Sequence, residues 1–138
     1  MIAALVAAVL LVLSGLHLYW AAGGRGPSMA VVPEVGGRPA FVPGRVATLF
    51  VAAALACAAA VVLVRAGMWS GAPPVVAFLA RCGAWVLVAV FLARALGDFH
   101  LVGFTKRVRG TAFARWDTAL YSPLCAALGL AVLWIATR

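Results

Sequence analysis

The chain has 138 residues, of which 67% are hydrophobic and only 10% are charged, and it carries a formal net charge of +8. That balance excludes an ordinary soluble domain. The basic excess does not indicate nucleic-acid binding, because the charges flank apolar runs and no nucleic-acid module is recognisable.

Four apolar runs cover about 2–22, 46–64, 75–96 and 120–137, each approaching the roughly 20 residues a helix needs to cross a bilayer. The expected fold is all-α: an integral membrane four-helix bundle forming one domain over 1–138. A Pro/Gly-rich cap loop joins helices 1 and 2, and a polar, basic loop joins helices 3 and 4. The first run lacks a positive leading region and exceeds the usual signal-peptide core, so it reads as a retained helix. It closes on His17, Tyr19 and Trp20, and Gly23-Gly24 stops it.

The loop that follows holds Pro27, Pro33, Pro39 and Pro43 with Gly36-Gly37, and two apolar groups, Ala30–Val32 and Phe41–Val42. It is too apolar for a disordered linker and long enough to be functional. It is expected to fold back as a cap, with Glu34 exposed. The second run is nearly all small residues around Ala52–Ala60, which permits close helix approach in lipid and a central place in the bundle.

The third run carries Arg81 and Arg94, roughly 20 Å apart along a helix, so that each reaches its own interface. Arg94 and Asp98 have the spacing of a same-face ion pair if the helix continues past Gly97. The fourth run begins at either of two places. Ser122-Pro123 has the form of a helix start, and Thr111–Tyr121 has the form of a helical lead-in at the interface. Cys57, Cys82 and Cys125 show no disulfide or metal-ligand spacing and read as small filler in helix contacts.

With four spans, the first and third loops share one side, here called side A. Eight basic residues fall there: Arg25, Arg38, Arg45, Arg94, Lys106, Arg107, Arg109 and Arg115. Arg65, Arg81 and Arg138 fall on side B. The positive-inside rule puts side A in the cytoplasm of a plasma-membrane protein and both termini outside. Tyr19, Trp20, Trp116 and Tyr121 near side A, with Trp69 and Trp134 near side B, form the aromatic belts.

All three acids (Glu34, Asp98, Asp117) and both histidines (His17, His100) also map to side A. Ionisable groups at membrane depth are costly and mark functional sites by default. The candidate catalytic residues are His17, Asp98 and His100. The candidate ligand-binding residues are Trp20, Glu34, Lys106, Arg107, Arg109, Asp117 and Tyr121. Each also has a plain reading. His17 can be satisfied by a backbone carbonyl, Asp98 by Arg94, and Lys106–Arg109 can be a solvated patch on anionic lipid headgroups. Asp117 and Tyr121, four apart, can share a hydrogen bond or a pocket.

The stretch Gly97-Asp98-Phe99-His100-Leu101-Val102-Gly103-Phe104, the following Lys106–Gly110, Asp117-Thr118 and Tyr121–Cys125 resemble a family of small bacterial membrane proteins. So do His17, Tyr19-Trp20-Ala21, Gly23-Gly24 and Val32-Pro33. The family is known as domain of unknown function 3995. The resemblance covers nearly the whole chain and implies a four-helix membrane protein, with no activity to carry over.

The leading functional expectation is a binding or catalytic site at side A for an amphipathic or anionic ligand. Arginines would hold its head, and His17, His100 and Asp98 would do any proton transfer. Three other classes compete with it. One is a small transporter subunit acting as a homo-oligomer, although side B offers only Arg81 as an intramembrane polar group. Another is an electron carrier with haem between His17 and His100. The last is an accessory subunit without ligand. The residues specify no cofactor and no metal, and the sequence carries no phosphate-binding glycine motif or nucleophile elbow.

Overall fold

A computed structural model describes residues 1–24, 31–35 and 38–138. Arg25, Pro27, Ala30, Gly36 and Gly37 of the cap loop lie outside them. The elements in chain order are α1 (Ile2–Ala21), β1 (Glu34–Val35), β2 (Arg38–Pro39), α2 (Arg45–Arg65), α3 (Pro74–Leu96), α4 (Ala112–Trp116) and α5 (Ser122–Ala136). A π turn over Asp117–Tyr121 joins α4 to α5. Among the described residues, four helices are long and apolar enough to cross a membrane: α1, α2, α3 and the continuous stretch Ala112–Ala136. The protein is therefore a multi-pass membrane protein built as a helical bundle.

The first three helices begin and end within one residue of the apolar runs, because their ends carry strong local signals. Beyond α1, Gly23 adopts φ +94°. The amides of Gly23 and Gly24 donate back to Trp20 O and Tyr19 O, the Schellman closure that glycine allows. Gly67 and Met68 close α2 in the same way, through Val64 O and Leu63 O. Pro74 starts α3 at a position where its missing N–H costs nothing.

The fourth span starts eight residues earlier than the apolar run, at Ala112. Thr111 caps it, its hydroxyl accepting the Ala114 amide at 3.0 Å. Ser122-Pro123 thus opens α5 inside the continuous span Ala112–Ala136 and is not the start of the span. Proline there removes the donor for the carbonyl one turn back and crowds it. The turn widens to relieve this: the Ser122 amide bonds Asp117 O, five residues back.

Packing follows two close pairs, α1 on α2 and α3 on α5, joined mainly along α2 and α3. Both α2 and α5 touch all three other spans, so the central place expected for α2 is shared. Leu10, Val62 and Val132 are fully buried at the centre, among the alanines Ala58, Ala59 and Ala84. Ser14 crosses from α1 to α2, its hydroxyl donating to Ala52 O at 2.8 Å. At the opposite end, Arg65 Nη2 donates to Ala136 O at 2.7 Å and ties α2 to the end of α5. The outward surface is apolar: Leu5, Phe50, Phe78 and Leu130 are exposed, as lipid-facing residues should be. Cys57 and Cys82 also face outward, and Cys125 is half-buried, so two of the three cysteines do not fill helix contacts.

Gly129 marks the tightest approach of α5 to α3. A Cβ placed there would lie 2.7 Å from Leu92 Cδ2 and 3.3 Å from the Leu92 backbone nitrogen. Overpacking of this kind costs about 1–3 kcal/mol. Gly129→Val is expected to lower the melting temperature in detergent, while Gly15→Val, whose added Cβ meets nothing within 4 Å, stays near wild type.

Candidate functional site

The polar residues of side A do not converge on one centre. They divide into a buried lock between α3 and α5, an apolar groove between α1 and α2, and a set of exposed groups.

Asp117 is the centre of the lock and has no solvent exposure. Its Oδ1 accepts from Arg94 Nη2 at 2.8 Å. Its Oδ2 accepts from Lys106 Nζ at 2.9 Å, the Gly103 amide at 2.9 Å and Ser122 Oγ at 3.1 Å. Lys106 is itself buried and spends its other protons on Gly103 O at 2.9 Å and Thr118 Oγ1 at 2.7 Å. Two cations face one anion here, so the lock carries a net +1. Arg94 Nη1 is buried without a hydrogen-bond partner among the described residues.

The loop from Gly97 to Gly110 is folded so that it can deliver Lys106 and the Gly103 amide to this carboxylate. Gly97 and Gly103 have φ +96° and +84°, and their backbones touch. A Cβ on Gly97 would collide with Val102 O, and one on Gly103 would collide with Gly97 Cα. The loop returns along the end of α3: Phe104 N donates to Ala95 O at 2.9 Å, and Thr105 Oγ1 donates to Leu96 O at 2.6 Å. Those carbonyls would otherwise end the helix unsatisfied.

Asp98 shapes the same loop. Its Oδ1 accepts the amides of His100 at 2.9 Å, Leu101 at 2.7 Å and Val102 at 3.0 Å. The Val102 N–H foremost, with those of His100 and Leu101, holds the Asp98 carboxyl below the usual carboxylate range. The expected Arg94–Asp98 pair is therefore not formed. The helix ends at Leu96, Asp98 turns onto its own loop, and Arg94 reaches Asp117. His100 is exposed, and its carbonyl accepts the amides of Arg107 and Val108. Arg107 and Arg109 are exposed. Tyr121 is half-buried against the Phe113 ring, with centroids 6.1 Å apart, and Ser122 takes the hydrogen bond to Asp117 that its spacing suggested for Tyr121.

The groove has a volume of about 570 Å³. The end of α1 supplies His17 and Trp20, and the start of α2 supplies Ala47, Thr48 and Val51. The cap loop closes it with Val31, Val32, Phe41, Val42 and Pro43. These include residues of the two apolar groups that mark the loop as a cap. His17 Nδ1 lies 2.8 Å from Leu13 O. A carbonyl only accepts, so Nδ1 carries the proton and Nε2 is left for another partner. The Trp20 ring stands edge-on to the imidazole, with centroids 5.2 Å apart. Thr48 spends its hydroxyl on Gly44 O. No carboxylate or guanidinium lines the groove among the described residues.

Glu34, expected to be exposed, is buried, because β1 pairs with β2 (Glu34 with Pro39) and Ala40 N bonds Pro33 O, which tucks the chain beside buried Val32. Its Oε1 has no partner among the described residues. Of the sequence candidates, the structure brings together Lys106 with Asp117, and His17 with Trp20. Gly103, Thr118 and Ser122 of the lock, and Ala47, Thr48 and Val51 of the groove, were not among the candidates, and Arg94 was matched to Asp98 instead of Asp117. Only the paired glycines around the loop carried a local signal for any of them.

Two outcomes follow. Asp117→Asn leaves Arg94 and Lys106 facing a neutral group in a buried place, a loss of about 3–5 kcal/mol. A Lys106→Met/Asp117→Leu double variant should lose less than the two single changes added together, as thermal melts in detergent would show. For Asp98 the folded pKa lies below the unfolded one, so its contribution is complete above the unfolded value and fades as pH falls through the folded value. Amide hydrogen exchange at His100, Leu101 and Val102, followed as pH is lowered, should show this loss in wild type and a flatter profile in Asp98→Asn.

The family described as "Protein of unknown function (DUF3995)" matches residues 10–132. No curated protein and no solved structure gives a significant match. Four membrane-length helices and a family match over most of the chain establish this much: the protein is an integral membrane member of the DUF3995 family.

Proposed function

We propose that the protein binds an amphipathic, lipid-like molecule in the groove between the side A ends of α1 and α2. The groove itself carries this reading. Its volume of about 570 Å³ falls in the range of small-molecule sites, roughly 300–1,000 Å³. Its walls are mostly apolar side chains from two helices and the cap loop, and it holds one imidazole whose Nε2 has no hydrogen-bond partner among the described residues. Such a lining favours a hydrocarbon chain with a small hydrogen-bonding head, such as a hydroxyl, placed at His17. It favours binding over turnover, since neither Asp98 nor His100 is part of the lining.

The groove lies at the end richer in basic residues. Setting aside Arg94 and Lys106, which are tied to Asp117, side A still has Arg25, Arg38, Arg45, Arg107, Arg109 and Arg115 against Arg65, Arg81 and Arg138 on side B. On the positive-inside rule we place the groove at the cytoplasmic face of the plasma membrane, with both termini outside.

The test uses a long-chain fatty alcohol bearing a diazirine, photolysed with the purified protein in mild detergent. Crosslinks are expected in peptides spanning Phe41–Val51. Ala47→Trp, which fills the groove, should abolish them at unchanged melting temperature, and His17→Ala should weaken them several-fold. Labelling spread evenly over all four spans, or unchanged by Ala47→Trp, would mean the groove is not a binding site.

A further inference from the structure

A second hollow, of about 330 Å³, lies between the end of the 97–110 loop and the start of the fourth span. It is lined by Arg109 and Gly110 from the loop and by Ala114, Arg115, Thr118 and Ala119 from α4 and the π turn. We propose that it is a site for the phosphate of an anionic phospholipid. The proposal is independent of the groove reading and rests on different residues.

Two arginines line one small hollow, and each bonds a carbonyl of the same loop. Arg109 Nε donates to Lys106 O at 3.5 Å, and Arg115 Nη1 donates to Gly110 O at 3.1 Å. The other N–H groups of both side chains have no hydrogen-bond partner among the described residues. A planar fork with spare donors suits a phosphate.

No acid lines the hollow. The carboxylate next in sequence to it, Asp117, is fully buried and already holds four donors, so it cannot neutralise the arginines. Thr118 forms part of the wall and is fixed in turn, accepting from Lys106 Nζ and donating to Ala114 O. The lock thereby sets the shape of the hollow while leaving its charge uncompensated.

The surroundings favour a lipid source for the phosphate. Trp116 and Leu120, exposed beside the hollow at 51% and 46%, mark the level where aromatic side chains meet headgroups. Ala114 and Ala119 give it an apolar floor, on which the first carbons below a headgroup can rest.

The experiment is native mass spectrometry of protein released from nanodiscs of equal parts phosphatidylglycerol and phosphatidylcholine. Wild type is expected to retain phosphatidylglycerol selectively. Arg109→Gln/Arg115→Gln should lower that preference about tenfold, the scale of losing charge-assisted hydrogen bonds. Arg38→Gln/Arg45→Gln removes the same charge from the same end and should keep the preference. In a parallel arm, release of the lipid by inorganic phosphate would identify free phosphate as a ligand of the same hollow, and its retention would identify the lipid. Equal retention of both lipids by wild type, or equal loss in both double variants, overturns the proposal.

Discussion

A carboxylate with no solvent exposure sits near the end of a membrane bundle, and the fold of side A is arranged around keeping it charged and partnered. Asp117 accepts from Arg94 on α3, from Lys106 and the Gly103 amide on the following loop, and from Ser122 on its own helix. A buried ion needs several such partners, because the desolvation it suffers exceeds what one contact returns. Supplying them from both sides of the loop forces the 97–110 segment to double back onto the end of α3. The glycine crossing at Gly97 and Gly103, the Asp98 turn and the recapture of the α3 carbonyls follow from that requirement. Burial of Asp117 therefore links a helix end, a loop and a kinked span into one unit.

The π turn belongs to the same unit. Pro123 leaves a normal helix one donor short, and the widened turn from Asp117 to Tyr121 absorbs the defect. Wide turns of this sort are frequent at functional positions. Here the turn spans Asp117 and Thr118, two of the three groups that hold Lys106. The hollow flanked by Arg109 and Arg115 borders the lock through Thr118, so it inherits rigidity from a cluster it does not otherwise use.

Separation of the two helix pairs gives side A two different chemical characters. The groove at the α1–α2 end is lined mainly by apolar side chains with a single imidazole, and the α3–α5 end is ionic. A single centre joining His17, Asp98 and His100 is not what the chain builds: Asp98 spends its carboxylate on three backbone amides, and His100 is exposed. Lys106 and Asp117, gathered by the same asymmetry of charge, neutralise one another. Clustering at one end of a bundle is a statement about depth. It leaves open where around the bundle each group lies.

Depth and span were legible because both depend on short-range pattern. Runs of apolar residues fixed the first three helices to within a residue, and Gly23, Gly67 and Pro74 act through their own backbone geometry wherever they occur. The apolar groups of the cap loop, among them Val31-Val32 and Phe41-Val42, pointed to a cap over the helix ends for the same local reason. Partnership was not legible. Arg94 and Asp98 are four residues apart and looked like a pair, whereas Arg94 and Asp117 are separated by 23 residues and form the bond. Glu34 looked exposed from its Pro-Gly surroundings and is buried by a hairpin. Composition and periodicity alone determined that this chain has four membrane-length helices with its acids and histidines at one end. Only the tertiary structure decided which of those groups meet, because the choice depends on how a loop between distant helices folds back to satisfy one buried charge.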